Sequence, residues 1–333
     1  MRLEIDRMRP VDEHQKACEL RERCGNSFYQ MYHKDFVEIP CPACGSNEWD
    51  FAFTKYSFKH NKCSRCKTLF CSPRPTEKLL VEYYANFEAP KYWSELLLKT
   101  DVSRKLLQHR PRVEKIVALL KEKFAKREIA AVDLGAGTGA FALALRDSGF
   151  FRKVIAVDFS KDCVQACVKR GLESHQGTVD DVTEDSIGLL TMNDLIEHLS
   201  EPLLFLKKCC SIMTPKGMIA IATPNGGGFD FQIMKEKTVN ITPPEHLNYF
   251  NTYSIKLLIE NAGFSVKKVE TPGILDTQIV MREVARGNIN LGRDNKFLQY
   301  LLGETSSEVV GAFQRFLQEN LLSSHMLALA QKR

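Results

Sequence analysis

The sequence predicts an α/β protein, a doubly wound sheet preceded by a small zinc ribbon. Three observations predict it. Cys41-Pro-Ala-Cys44 and Cys63-Ser-Arg-Cys66 are two C-x2-C pairs with eighteen residues between them. Ile129-Ala130-Ala131-Val132-Asp133-Leu134 is a short apolar run with one acid, and it leads directly into Gly135-Ala136-Gly137-Thr138-Gly139. A second apolar run, Val154-Ile155-Ala156-Val157, ends in Asp158.

The 333 residues allow about two domains. With 44% hydrophobic and 26% charged residues, the balance is that of a globular protein and excludes disorder, collagen-like repeats or coiled coil as the dominant architecture. No stretch approaches ~18 consecutive apolar residues, so no membrane span is expected. The opening MRLEIDRMRPVDEH carries charges where a secretion signal needs an apolar stretch, and a cytoplasmic location is expected. The net charge of +5, spread through the chain, permits anionic partners but demands none.

Residues 1–36 read as a helical arm, with amphipathic spacing in QKACELRERC. Residues 37–75 are the ribbon. Of the 11 cysteines, five lie in residues 41–71. Without a secretion signal, such clustering points to metal ligands rather than disulfides. Cys41, Cys44, Cys63 and Cys66 bring four thiolates together, a set that suits tetrahedral Zn2+ and leaves no position open for water, so the zinc is read as structural. NEWDFAFTKYSFKHNK between the pairs reads as two strands. Cys71 is left for packing, and Cys18 and Cys24 as free thiols. Residues 76–128 read as a helical connector. Its neighbours Tyr83, Tyr84 and Tyr92 fit helix packing or the lining of a cleft.

The core begins at residue 129. Strand, glycine loop and the helically spaced AFALALRDSG, with Gly149 as its stop, make the first βα turn of a doubly wound sheet. The glycines let the backbone approach a ligand, and the helix N-terminus offers free N–H groups. Asp158, nineteen residues past Gly139, is placed to accept hydrogen bonds from ribose hydroxyls. Gly135-x-Gly137-x-x-Ala140 also fits the dinucleotide fingerprint, but the G-x-G-x-G spacing and the acid at Asp133 inside the strand count against it.

AVDLGAGTGAFALAL resembles motif I of class I S-adenosylmethionine-dependent methyltransferases. VIAVDFS resembles their second motif, and LLTMNDLIEHLSEPLLFLKKCCSIMTPKGMIAIATPN their fourth strand, following helix and fifth strand. CPACGS…KCSRCKTLFCSPRPTEKLLVEYY and PPEHLNYFNTYSIKLLIENAGF resemble a subgroup with a zinc ribbon before the core, which includes sugar C-methyltransferases. The resemblance implies a seven-stranded Rossmann-like core over residues 129–272, a helical cap inserted at 273–324, and a last strand at 325–333 placed between the fifth and sixth. It implies S-adenosylmethionine as methyl donor. Gly135, Gly137 and Gly139 would line its methionine and ribose, and Asp133 would support the loop and the amino group. Asp158 and Phe159 would stand at the ribose, Val179 and Asp180 at the adenine, and Asn193 at the methionine moiety.

Methyl transfer from a sulfonium is an in-line displacement that needs alignment and, for a hydroxyl or carbon acceptor, a base. His246, in Thr242-Pro243-Pro244-Glu245-His246, is the first candidate, with Glu245 orienting it or acting itself. Some sugar C-methyltransferases carry a tyrosine where this chain has Pro244, which leaves O-methylation at least equal. Glu197-His198, placed at the start of the helix after the fourth strand, reads as a structural pair holding loop to sheet. The expected acceptor is a small molecule: a sugar, nucleotide-sugar or secondary metabolite. The competing readings are an RNA-directed methyltransferase that uses the ribbon as a clamp, and a cofactor-binding protein without catalysis. The absence of an N/D-P-P-Y/F sequence at Asn193 and of a basic run in 41–71 weighs against RNA.

Overall fold

The computed structural model describes residues 10–292 and 295–333. In chain order the strands are β1 (Trp49–Lys55), β2 (Phe58–Cys63), β3 (Leu69–Cys71), β4 (Ala130–Leu134), β5 (Lys153–Asp158) and β6 (Glu173–Gln176). β7 (Ile187–Asn193), β8 (Met218–Pro224), β9 (Asn248–Tyr249), β10 (Phe264–Glu270) and β11 (His325–Lys332) follow. The chain divides into two compact units. One holds the described residues up to Tyr83 with Pro224–Ile255 and Val269–Leu327; the other holds Tyr84–Thr223, Lys256–Lys268 and Ala328–Arg333.

The first unit is built on a four-stranded sheet in the order β1-β2-β3-β9. The two strands expected between the cysteine pairs are β1 and β2, paired antiparallel through Lys55↔Phe58. The fourth strand is contributed from far down the chain, with Leu69 opposite Tyr249 and Phe70 opposite Asn248. The arm is a helix, Val11–Tyr32, that buries Ala17, Leu20, Cys24 and Phe28. Phe28 meets Tyr83 edge to face at 5.2 Å, and Phe36 stacks on Phe58 at 5.5 Å. Tyr83 is therefore a packing residue. Cys71 is fully buried and its sulfur lies 3.3 Å from His60 Nε2. Burial holds the His60 imidazole neutral, with its pKa lowered to about 3.

Gly226-Gly227-Gly228, which alone suggest a flexible loop, are instead closely packed. A Cβ on Gly226 would lie 2.6 Å from the Tyr249 carbonyl oxygen, and one on Gly228 would lie 2.4 Å from Ser324 Cα. The glycines are needed for close backbone approach.

The large sheet has the order β10-β11-β8-β7-β4-β5-β6. β4 pairs parallel with β5 and β7, and β8 runs parallel to β7. β11 lies between β8 and β10. Ala130–Leu134 and Met218–Pro224 are buried along their whole length. Continuous apolar runs are what parallel strands covered on both faces require. The helix Ala140–Asp147 follows β4 directly and buries Phe141, Leu143 and Leu145. Glu197 and His198 lie in the turn before the helix Pro202–Ile212, not in it, because Pro202 sets the first helical turn. No helix among the described residues is long and apolar enough to cross a membrane.

Candidate cofactor site and metal centre

The glycine loop connects β4 to the helix Ala140–Asp147 with positive φ at Gly135, Gly137 and Gly139. The last two differ in what surrounds them. A Cβ on Gly139 would lie 2.7 Å from Leu172 and 2.8 Å from the Cys167 sulfur, so this glycine serves packing. A Cβ on Gly137 would meet nothing within 4 Å. The backbone at Gly137 therefore faces open space, where a ligand can approach it.

Asp158 closes the same loop from the end of β5. Its Oδ2 accepts the Gly137 N–H at 2.8 Å and its Oδ1 accepts the Ser160 N–H at 2.9 Å. Burial raises its pKa, and the two N–H donors oppose that shift. Ser160, not Asp158, caps the helix Lys161–Lys169, its side chain accepting from the Cys163 N–H. Next along the chain, Phe159 is 43% exposed and meets the Tyr84 ring edge to face at 5.2 Å.

Asp133 sits opposite Thr191 in the parallel pairing of β4 and β7. Same-face placement lets Thr191 Oγ1 donate to Asp133 Oδ1 at 2.6 Å. Asn193 lies two residues on and on the same face of β7, where its side chain opposes the upward shift of the Asp133 pKa. Burial raises the Asp133 pKa to about 7 against an ordinary 3.8. The folded state then keeps a proton that the unfolded chain has lost, so stability falls as pH rises between about 4 and 7 and is flat above. Asp133→Asn should abolish that slope. Urea denaturation without cofactor at about pH 5 and about pH 8 measures it, with roughly 2.6 kcal/mol as the upper bound of the wild-type change between them. Equal slopes in the two proteins would refute a titrating Asp133.

Val179 is buried and opens a short turn, Val179–Asp181, capped by Thr178 and Asp181. Asp180 is exposed and paired with Lys208 at 2.5 Å. Arg112 is a residue that sequence motifs did not bring into view. It is buried in the helix Arg110–Leu120, and its Nη1 donates to Asn193 Oδ1 at 3.1 Å. An arginine on the buried face of an amphipathic helix was its available signal. Tyr84 Oη and His198 Nδ1 lie 2.8 Å apart. Glu197 is buried, accepts from Thr223 Oγ1 at 2.8 Å and so ties its turn to β8; burial raises its pKa well above the usual value.

Glu245 and His246 belong to the first unit. Arg21 reaches Glu245 Oε2 at 2.9 Å and Tyr83 Oη donates to Oε1 at 3.3 Å, so both carboxylate oxygens are engaged in a buried pair. His246 Nδ1 donates to the Asn240 carbonyl at 2.8 Å, which leaves Nε2 as the basic nitrogen.

In the ribbon, the sulfurs of Cys41, Cys44, Cys63 and Cys66 all lie within 4.8 Å of one another. Cys41 and Cys66 are 3.4 Å apart, and Cys44 and Cys63 are 3.6 Å apart. Four sulfurs each about 2.3 Å from a common centre would be spaced in this range, so the set fits a tetrahedral Zn2+. Backbone N–H groups of Ala43 and Cys44 meet the Cys41 sulfur, and Thr68 Oγ1 lies 3.1 Å from the Cys66 sulfur. Such contacts stabilise thiolate ligands.

Residues 105–269 match the family model described as methyltransferase domain. A protein of Mycolicibacterium smegmatis named "Probable S-adenosylmethionine-dependent methyltransferase" is 25% identical over 160 residues. The match covers 47% of this chain and 59% of that relative's length. Among solved structures, a chain of the Haloferax volcanii complex between a methyltransferase activator and a methyltransferase has 16% identity and a TM-score of 0.49. The match covers 72% of this chain and 94% of that one. A SAM-dependent methyltransferase from Archaeoglobus fulgidus has 18% identity and a TM-score of 0.44, over 69% of this chain and 98% of that one. Residues 105–269 thus resemble a methyltransferase domain, and the glycine loop with its aspartate clasp lies within that segment.

Proposed function

We propose that this chain transfers a methyl group from S-adenosylmethionine to a small-molecule acceptor, a sugar, nucleotide-sugar or secondary metabolite, by O- or C-methylation. The observation that carries the reading is the clasp of Asp158 on the Gly137 N–H beside an open face of the loop. It offers a carboxylate for a ribose diol and bare backbone for the rest of the donor. When bound, the donor supplies an electrophilic methyl on a sulfonium, so the protein's task is alignment and proton management.

Within that task Gly135 and Gly139 shape the loop, and Asp133 and Asn193 face the amino-acid end of the donor. Val179 offers its backbone to the adenine, with Phe159 and Asp180 at its margin. His246 is the candidate base: its Nδ1–H is committed to a carbonyl, which supports proton acceptance at Nε2. Glu245 is assigned to holding that loop through Arg21 rather than to accepting a proton. Cys41, Cys44, Cys63 and Cys66 would hold a zinc ion whose contribution would be folding energy.

The test is transfer of labelled methyl from S-adenosylmethionine into fractionated extract of the source cells, with Asp158→Ala as control. Label in the small-molecule or sugar-nucleotide fraction, lost in the variant, is the expected result. Label confined to RNA would overturn the acceptor class. Cofactor binding with no transfer to any fraction would favour a binding protein.

A further inference from the structure

The helix Ser307–Glu319 carries apolar side chains on two opposite faces. Val310, Gln314 and Leu317 form the inner face and are buried. Gln314 fastens that face, accepting from the Thr277 N–H at 3.1 Å and donating to Asp276 Oδ2 at 2.6 Å. Val309, Ala312 and Phe316 follow the spacing i, i+3, i+7 on the opposite side, and all three are exposed. Val309 is 43% and Phe316 49% exposed. Phe313 stacks on Phe316 at 6.1 Å and meets Phe229 edge to face at 5.4 Å, which anchors one side of the stripe. Glu308 and Arg315, both exposed and seven residues apart, run along the other side. Seven residues are about two helical turns, so the two charges share one flank.

We propose that this outer face is the interface of a homodimer, in which the helix packs antiparallel on its own copy about a two-fold axis beside Ala312. The occupant follows from self-complementarity, the condition that a two-fold interface imposes on a single surface. An axis perpendicular to the helix, level with the midpoint of 308 and 315, sets Glu308 opposite the partner subunit's Arg315. The same operation sets Arg315 opposite the partner subunit's Glu308. It also brings Val309 within about 3 Å, measured along the helix, of the level of the partner's Phe316, and the reverse. Ala312 lies at the crossing point, where a small side chain lets two helices approach closely. A parallel pair would set glutamate against glutamate and arginine against arginine, so the flanking charges select the antiparallel arrangement. The outer side carries Glu308 and Glu319 against the single Arg315, a balance that disfavours an anionic membrane or nucleic acid as occupant.

Sedimentation of the full chain over micromolar concentrations should show a reversible species of twice the chain mass. Glu308→Arg sets arginine against arginine across the axis, and Arg315→Glu sets glutamate against glutamate. Each should weaken association at least about tenfold. The double variant Glu308→Arg/Arg315→Glu restores opposite charges in both pairs and should return the dimer to within about threefold of the wild type. Ala312→Arg should give monomer. These positions are exposed, so all the variants should melt with the wild type.

A wild type that is monomeric throughout would overturn the inference. So would a dimer indifferent to both single reversals, or a double variant no stronger than the singles. Monomers that instead co-sediment with phosphatidylserine vesicles would assign the face to a lipid surface and overturn it as well.

Discussion

Asp158→Ala should lower the affinity for S-adenosylmethionine by at least about a hundredfold and leave the melting temperature nearly unchanged. The contrast follows from what the carboxylate does in each state. In the free protein it accepts two backbone N–H bonds, from Gly137 and Ser160, but it is only 8% exposed and burial disfavours its charge. Losing the bonds costs stability and losing the buried charge returns some, so the two effects offset to within about 1–2 kcal/mol. Binding has no such offset. The variant lacks the carboxylate proposed to accept from the ribose and also frees the Gly137 N–H, so the loop loses the bond that holds its shape. Calorimetric titration and a thermal melt on the same preparation decide it. Wild-type affinity in a well-folded Asp158→Ala protein would refute the ribose role.

Removing the ribbon metal should unfold a segment much larger than the cysteine loops. Structural zinc contributes roughly 10–16 kcal/mol of apparent binding energy in small domains, more than a ribbon of this size gains from its own core. Here the ribbon also carries distant chain. The Cys71 N–H donates to the Leu247 carbonyl, β3 pairs with β9, and Asn251 Nδ2 donates to the Cys66 carbonyl at 2.9 Å. We expect one zinc per chain by elemental analysis, and loss of it in Cys63→Ala. Hydrogen exchange should then show protection lost together in residues 58–71 and 247–251. A metal-free chain that keeps its protection in both segments would show that packing alone holds the ribbon.

Much of this was legible in the sequence for local reasons. Strand β4, the glycine loop and its helix are contiguous, so apolar spacing and the needs of φ > 0 specify them without reference to the rest of the chain. Both cysteine pairs are likewise defined by their own spacing. The helices at Asp276–Ala285 and Ser307–Glu319 announce themselves by amphipathic periodicity. Gly226-Gly227-Gly228 misled because composition signals conformational freedom, whereas packing against Tyr249 and Ser324 used the glycines for contact.

The sequence alone determined the class of the fold, the cluster of four cysteines and the place of the glycine loop, because each rests on neighbours in the chain. Only the tertiary structure decided what each polar side chain does. Glu245 stands beside a histidine in sequence, yet its partners are Arg21, more than two hundred residues away, and Tyr83. Arg112 gains its meaning only when the helix Arg110–Leu120 brings it to Asn193. A hydrogen bond depends on positions to within a few tenths of an ångström, and in a crossed parallel sheet those positions are set by strands and helices far apart in the chain.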